Sequence, residues 1–176
     1  MFARNPRCFR ELLPQDHERL DAMLASVLEL VHVDLRPQLQ EHWVTFEDGM
    51  LTHMNAEEMF ILPAFGLFDA ASAAILYADH AKLRGLLAEV GAGLDMDLVR
   101  EEQVQELAQT FRAHAKAEKD FLYEWADRSL PPTALSSLAR RLRATWERSW
   151  SRAAQTPASV RGDGGAKRVK RSRARI

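Results

Sequence analysis

Apolar residues recur at intervals of three and four along most of the chain, which is the spacing of one buried face of an α-helix. No stretch alternates apolar and polar residues with the Val, Ile and Thr content of a strand, so a sheet is not expected. Prolines divide the pattern into separate helices, because a proline disfavours helical backbone at the residue before it. The pattern predicts five helices, at about residues 14–35, 37–62, 71–90, 97–127 and 132–154. The chain is therefore predicted to be all-α, with its first four helices in an antiparallel up-and-down four-helix bundle.

The segment after the bundle is predicted to form an additional C-terminal helix. Its apolar residues keep helical spacing; they are Leu135, Leu138, Leu142, Trp146 and Trp150. Two interpretations stay open: an amphipathic helix that covers the bundle, and a surface that pairs two chains in a homodimer. The chain thus divides into an N-terminal extension, a bundle, an amphipathic helix and a basic, disordered tail, at residues 1–13, 14–128, 129–155 and 156–176.

Each of the first four apolar stripes contains one histidine. These histidines are His17, His53, His80 and His114. Two of the stripes also contain a glutamate four residues after the histidine, at Glu57 and Glu118. Side chains four residues apart lie on the same face of a helix, so each of these pairs can point two ligands at one spot. A carboxylate in an apolar stripe is costly unless it is paired, hydrogen-bonded or bound to a metal.

The two histidine–glutamate segments also match each other. The segment 53–61 aligns with the segment 114–122, with His, Ala, Glu and Phe at the same offsets. In an antiparallel bundle such a pseudo-repeat places two equivalent half-sites face to face, and the histidines of the other two helices complete them. One histidine on an apolar face is usually a core or boundary residue, but four of them with two glutamates indicate a dinuclear metal site in the bundle core.

Composition limits the chemistry of such a site. The 176 residues include six histidines and one cysteine, Cys8. A disulfide within the chain and a cysteine-based zinc or iron–sulfur site are therefore excluded, and any metal would be held by imidazole and carboxylate. The single cysteine favours a reduced, cytoplasmic setting. The sequence has no targeting segment and no apolar run long enough to span a membrane, so no membrane partner is expected.

The net charge of −1 is the sum of two unlike parts. Residues 161–176 contain seven Lys and Arg and one Asp, which gives +6, so residues 1–160 carry −7. Charge alone would let this tail contact nucleic acid or an acidic partner. The tail lacks aromatic residues for base stacking, and a solvated tail without a specific partner is the alternative.

The histidine motifs resemble those of the haemerythrin-like, HHE cation-binding domain family. The resemblance covers roughly residues 14–128 and rests on four segments: Asp16-His17-Glu18-Arg19-Leu20, His53-Met54-Asn55-Ala56-Glu57-Glu58-Met59-Phe60-Ile61-Leu62-Pro63, Asp79-His80-Ala81-Lys82-Leu83 and His114-Ala115-Lys116-Ala117-Glu118. It implies two non-haem iron ions, bridged by both glutamates and by an oxo or hydroxo group. The iron ligands that it implies are His17, His53, Glu57, His80, His114 and Glu118.

The sequence departs from the oxygen-carrying members of that family at two ligands, one of which is Glu118, where those carriers have Asp. Those carriers have a fifth histidine one turn from the histidine of the third helix, where this chain has Leu76 and Arg84. The resemblance therefore implies a protein that binds, senses or detoxifies oxygen, peroxide or nitric oxide. The alternatives are an enzyme that turns over peroxide or nitric oxide, a regulatory module whose iron controls stability or partner binding, and a protein of iron storage or iron–sulfur repair.

Four polar residues near these motifs carry weaker predictions. Glu58 is predicted to face solvent, and the alternatives are a contact with His53 and a role as an outer ligand. Tyr77 is interpreted as a boundary aromatic residue, and the alternative is a hydrogen bond to a bound oxygen species. His32 and His42 fall outside the apolar stripes and are predicted to lie on the surface.

Overall fold

A computed structural model describes residues 9–33 and 35–155 of the chain. In these residues it contains six helices: α1 (Phe9–His32), α2 (Arg36–Phe60), α3 (Leu62–Phe68), α4 (Ala70–Asp95), α5 (Glu101–Ser129) and α6 (Pro132–Gln155). The described residues contain no strand, which confirms the all-α prediction. Among these helices none combines the length and the apolar content that a membrane crossing requires.

Helices α1, α2, α4 and α5 form the predicted bundle. Helix α1 packs against α2 and α5, and α4 packs against α5 and α2, so the four helices close a ring. Helix α6 lies along α2 and α1, and its buried residues Leu138, Leu142 and Trp146 face the bundle of the same chain. The sequence pattern does not predict the short α3, which links α2 to α4 and buries Phe65.

The predicted start of the first helix near Pro14 is wrong, because α1 already begins at Phe9 and contains Pro14. Leu12 and Leu13 are buried in an apolar cluster that they share with α5 and α6. A proline inside a helix costs about 3 kcal/mol, whereas each buried leucine contributes about 1.5–3 kcal/mol. The burial of two leucines therefore offsets the proline, and the helix extends into the predicted N-terminal extension.

The predicted end of the third bundle helix at Val90 is also wrong, because α4 continues to Asp95. The two glycines that follow Val90 permit close approach of neighbouring segments instead of ending the helix. A Cβ atom on Gly93 would lie 3.3 Å from the Cα atom of Val99, and one on Gly91 would lie 3.4 Å from the indole nitrogen of Trp43. The chain reverses at Asp97, whose φ of 60° is left-handed, a conformation that Asp tolerates better than most residues.

Two glycines of α4 should respond in opposite directions to alanine. Gly85→Ala adds a Cβ atom that meets no atom within 4 Å, so it should stabilise the protein by about 0.5–1 kcal/mol through helix propensity. Gly93→Ala brings the same gain, but its Cβ atom crowds the backbone of Val99, and overpacking costs about 1–3 kcal/mol. We expect urea unfolding of the metal-free protein to give a higher midpoint for the first variant and a lower one for the second. Equal shifts for the two variants would contradict the close contact at Gly93.

The predicted apolar stripes line the bundle interior, with one reversal in α5. The spacing predicts Phe121 on the inner face, but Phe121 is 41% exposed and Leu122 is fully buried. Steps of three and of four residues after Glu118 both fit helical spacing. Packing against the cluster that contains Leu142 and Trp146 selects the step of four.

Two apolar clusters fill the interior. One joins α3 and α6 to residues of α1, α2, α4 and α5, and the other lies further along the same four bundle helices. In α1, α4 and α5 the predicted metal ligands come between members of the two clusters, and in α2 His53 and Glu57 lie on either side of the boundary between them. Cys8, the side chain of Trp150 and the basic tail at residues 156–176 lie outside the described residues.

Candidate metal centre

The six predicted ligands lie in one buried polar layer between the two apolar clusters. The α1 and α4 helices each contribute one histidine to this layer, and α2 and α5 each contribute a histidine and a glutamate four residues apart. The ligands are His17, His53, Glu57, His80, His114 and Glu118, of which His17 is 8% exposed and the other five at most 1%. The fold therefore brings together the complete predicted set.

The histidines converge in two pairs through their Nε2 atoms. Nε2 of His17 lies 3.0 Å from Nε2 of His53, and Nε2 of His80 lies 3.2 Å from Nε2 of His114. The rings of the two pairs are inclined by 63° and 65°, so the pairs are nearly equivalent. Two neutral imidazoles can share only one proton along such a contact, whereas a metal ion accepts the lone pairs of both.

Glu57 reaches both imidazole pairs. Its Oε1 lies 3.3 Å from Nε2 of His53, and its Oε2 lies 3.4 Å from Nε2 of His80. Because α2 lies between α1 and α4 in the ring, a single side chain on its inner face can extend towards both neighbours. The two oxygens of Glu57 thus face different pairs, as a bridging carboxylate requires.

Glu118 makes the equivalent contacts from α5. Its Oε2 lies 3.1 Å from Nε2 of His17, and its Oε1 lies 3.2 Å from Nε2 of His114. The layer therefore contains two donor groups that share both glutamates; they are His17, His53, Glu57 and Glu118, and His80, His114, Glu57 and Glu118. Each group offers two nitrogen and two oxygen donors.

The spacing of these donors fits a transition-metal ion in each group. Bonds of about 2.1 Å place neighbouring donors about 3.0 Å apart at right angles and about 3.4 Å apart at tetrahedral angles. The contacts between inward-facing donors measured above lie between 3.0 and 3.4 Å. Imidazole with carboxylate is a donor set that suits iron and zinc.

Burial and the neighbouring charges shift the pKa values of glutamates and histidines in this layer. Burial, and then the charge of Glu118, raises the pKa of Glu57 well above its ordinary value. Burial acts in the same direction on Glu118, but the charge and hydrogen bond of His114 outweigh it and hold the pKa of that carboxyl well below its ordinary value. Burial also lowers the pKa of His53, and it lowers the pKa of His80 to about 4. The imidazole of His80 is therefore neutral at pH 7 and has a lone pair for a metal ion. At His114 burial lowers the pKa, but the charge and hydrogen bond of Glu118 outweigh it, so this pKa is raised.

One aspartate contacts the outer nitrogen of the histidine on α2. Oδ2 of Asp16 lies 2.9 Å from Nδ1 of His53, whereas Oδ2 of Asp79 lies 3.7 Å from Nδ1 of His114, which is beyond hydrogen-bond distance. An acceptor at Nδ1 holds the proton there and leaves Nε2 as the ligand atom. Sequence reasoning missed this role of Asp16, although Asp16 directly precedes the predicted ligand His17 and that dipeptide was an available signal.

The histidines of α1 and α4 have unlike outer contacts. Oε1 of Glu58 lies 2.9 Å from Nδ1 of His80, whereas the hydroxyl of Tyr123 lies 3.3 Å from Nδ1 of His17. The prediction that Glu58 faces solvent is wrong, and so is the alternative contact with His53, because the α2–α4 packing turns its half-buried carboxylate towards His80. Tyr123 was not predicted, because nothing local in the sequence distinguishes it from a packing aromatic residue.

The family model named Hemerythrin HHE cation binding domain matches residues 8–129. The chain belongs to the haemerythrin HHE family. This confirms the family predicted from the sequence, and the match includes all six predicted ligands. It ends at the last residue of α5, so α6 lies beyond the haemerythrin domain. No curated protein and no solved structure matches the chain.

The positions of the missing fifth haemerythrin histidine have other roles in this chain. Leu76 is buried in an apolar cluster, and Arg84 donates hydrogen bonds to Glu58 and Asn55. Tyr77 is 40% exposed, as expected of a boundary aromatic residue. The two histidines predicted to lie on the surface do so: His32 is exposed beside Glu101, and His42 is exposed and contacts the carbonyl of Gln38.

Helix α6 contributes an aromatic contact to one of the predicted ligands. The indole of Trp146 is stacked on the imidazole of His53, with ring centroids 5.5 Å apart and planes 23° apart. Trp146 is 1% exposed, so this stack closes the side of the site next to α2. The sequence predicts Trp146 on the apolar stripe of α6 but gives no indication of its contact with a ligand.

A surface cleft of about 860 Å³ lies beside the most exposed of the six predicted ligands. Its walls include His17, Tyr123, Lys119 and Pro14. The other five predicted ligands are almost fully buried, so this cleft gives a small molecule from solvent an approach to the ligand set at His17.

Proposed function

We propose that this haemerythrin-family protein binds two non-haem iron ions in the polar layer. The ligands are His17, His53, Glu57, His80, His114 and Glu118, and the two glutamates bridge the ions. The observation that carries the proposal is that each glutamate places one oxygen beside each imidazole pair, at 3.1–3.4 Å. A mononuclear site would need only one of these oxygens from each side chain.

We propose further that the function is to bind, sense or detoxify oxygen, peroxide or nitric oxide. Bound iron supplies redox chemistry with such small molecules. Two carboxylates neutralise only part of the charge of two ferric ions, so the centre attracts small anions such as azide or hydroperoxide. The cleft at His17 gives them an approach from solvent.

The test is metal analysis combined with optical spectroscopy. Anaerobic loading with Fe(II) should give two irons per chain, and exposure to air should produce charge-transfer bands in the near ultraviolet. Azide, peroxide and nitric oxide should each change those bands. Fewer than one iron per chain after loading, or bands that none of these ligands changes, would overturn the proposal. Steady-state consumption of peroxide or nitric oxide then separates an enzyme from a sensor.

A regulatory module is the second candidate, and one contact favours it. Trp146 joins α6 to the ligand His53, and α6 lies beyond the matched domain, so metal occupancy has a direct route to the packing of α6. In this version, hydrogen exchange in α6 slows when metal is added, while turnover stays at background. Identical exchange in α6 with and without metal would remove this candidate.

A further inference from the structure

A chain of polar contacts connects the surface to the histidine of α4. Nδ1 of His80 and Nη1 of Arg84 both contact the same atom, Oε1 of Glu58, at 2.9 and 2.7 Å. Nη2 of Arg84 donates to Oδ1 of Asn55 at 2.8 Å, which fixes the guanidinium on the outer side of α2. The side chain of Arg84 is 33% exposed and that of Glu58 is 27% exposed, while that of His80 is fully buried.

We propose that Glu58 and Arg84 set the reduction potential of the metal pair, with Glu58 acting on His80 and Arg84 acting through Glu58. This inference rests on the proposed function, because it requires a redox metal on Nε2 of His80. Both are positioning residues, since neither is part of the proposed ligand set.

The sign of each contribution follows from charge. A carboxylate that accepts the proton of Nδ1 makes the imidazole a stronger donor through Nε2. Stronger donation stabilises the more highly charged ion and so lowers the potential. Arg84 shares the accepting oxygen and withdraws charge from it, because hydrogen bonds to charged groups are the strong ones. The guanidinium therefore limits the effect of the carboxylate and raises the potential.

The two halves of the pseudo-repeat differ at this position. The residue of α5 that corresponds to Glu58 is Lys119, and the outer nitrogen of His17 contacts the neutral phenol of Tyr123. Glu58 therefore acts on the metal position next to His80, whereas the other position has its own carboxylate contact, from Asp16 to Nδ1 of His53. Substitutions of Glu58 and Arg84 should shift the oxidation step of the metal next to His80 and leave the step of the other metal unchanged.

The test is spectroelectrochemical titration of the fully loaded protein. Glu58→Gln should raise the midpoint potential of one step, and Arg84→Gln should lower that of the same step. The double variant should match Glu58→Gln, because Arg84 acts through Glu58. Arg36→Gln is the matched control, since it breaks another arginine–carboxylate contact, with Asp97 at 2.9 Å, near the end of the bundle; it should leave both steps unchanged.

Metal affinity gives a second readout that does not depend on redox chemistry. Loss of an outer contact typically weakens metal binding about 10- to 100-fold, so Glu58→Gln should weaken Co(II) binding by that factor, measured by competition with a chelator. If Glu58→Gln does not load fully, Arg84→Gln still has to lower the potential. Potentials of both variants within the error of Arg36→Gln, or shifts in the same direction, would overturn the inference. Failure of the wild-type protein to hold two irons would instead overturn the proposed function.

Discussion

Replacing Glu118 by alanine should remove the dinuclear centre as a whole. The two carboxylate oxygens of Glu118 lie 3.1 Å from Nε2 of His17 and 3.2 Å from Nε2 of His114, so one substitution deletes a donor from both metal positions. We expect iron content to fall from two per chain to below one, and the near-ultraviolet bands of the oxidised protein to disappear. Glu57→Ala should have the same effect, because Glu57 also faces both imidazole pairs.

His32→Ala provides the control for this prediction. It removes an imidazole as well, but one whose side chain is 72% exposed and lies beside Glu101. Iron content and spectra should stay at the wild-type level. A Glu118→Ala protein that retains two irons and unchanged bands would show that this carboxylate does not bridge the metals.

The residues of the site that could be predicted from the sequence are the polar residues that interrupt apolar helical stripes. A histidine or glutamate such as His53 or Glu57 in an apolar helical stripe is costly unless it has a partner, and the stripe itself follows from spacing along one helix. Both observations are local, so the sequence alone predicts which residues converge. The structure places all six of them in one layer, although their role as metal ligands stays a prediction.

The outer contacts could not be predicted, because they depend on how far each helix slides and rotates against its neighbours. Tyr123 contacts His17 across a separation of 106 residues, and Glu58 lies beside the ligand Glu57 in sequence yet contacts His80 on another helix. Both residues have ordinary surface or boundary positions on their own helices. Only the packing of α5 against α1, and of α2 against α4, brings them to the imidazoles.

The errors at helix ends have the same origin. Pro14 is a correct local signal for a helix start, but the burial of Leu12 and Leu13 outweighs it. Gly91 and Gly93 are correct local signals for a helix end, but they serve close packing against Trp43 and Val99. In each case burial in the tertiary structure contributes more free energy than the local preference for a helix end. Sequence spacing does not measure that burial.

Metal should raise the stability of this protein by an unusually large amount. A ligand that binds only the folded state stabilises it by about 4 kcal/mol when its free concentration is a thousand times its Kd, so two metal positions give about 8 kcal/mol. For a domain of this size 1 kcal/mol shifts Tm by about 2–4 °C, which predicts a rise of about 15–30 °C. Thermal unfolding with and without Co(II), a metal that avoids redox changes during the scan, measures it.

The metal-free protein should respond to Glu57→Gln in the opposite sense. Burial and the charge of Glu118 raise the pKa of Glu57, so without a metal this carboxyl resists ionisation and stabilises the fold little. An amide has a similar shape but cannot ionise, so this substitution removes the unfavourable buried charge. The Tm of the metal-free variant should therefore equal that of the wild type or lie a few degrees above it. The same substitution removes a bridging donor, so most of the Co(II)-induced rise should vanish.

The control for this pair of effects is Glu106→Gln, which neutralises an exposed glutamate on α5. It should keep the full rise with Co(II), because Glu106 belongs to neither donor group. If Glu57→Gln keeps that rise as well, the carboxylate is not a ligand. If Glu57→Gln lowers the metal-free Tm by more than about 2–4 °C, which corresponds to 1 kcal/mol, the layer is stable as it stands and the polar core does not depend on a cation. The combination of an unchanged metal-free fold and a lost response to metal is what a layer built around two ions requires.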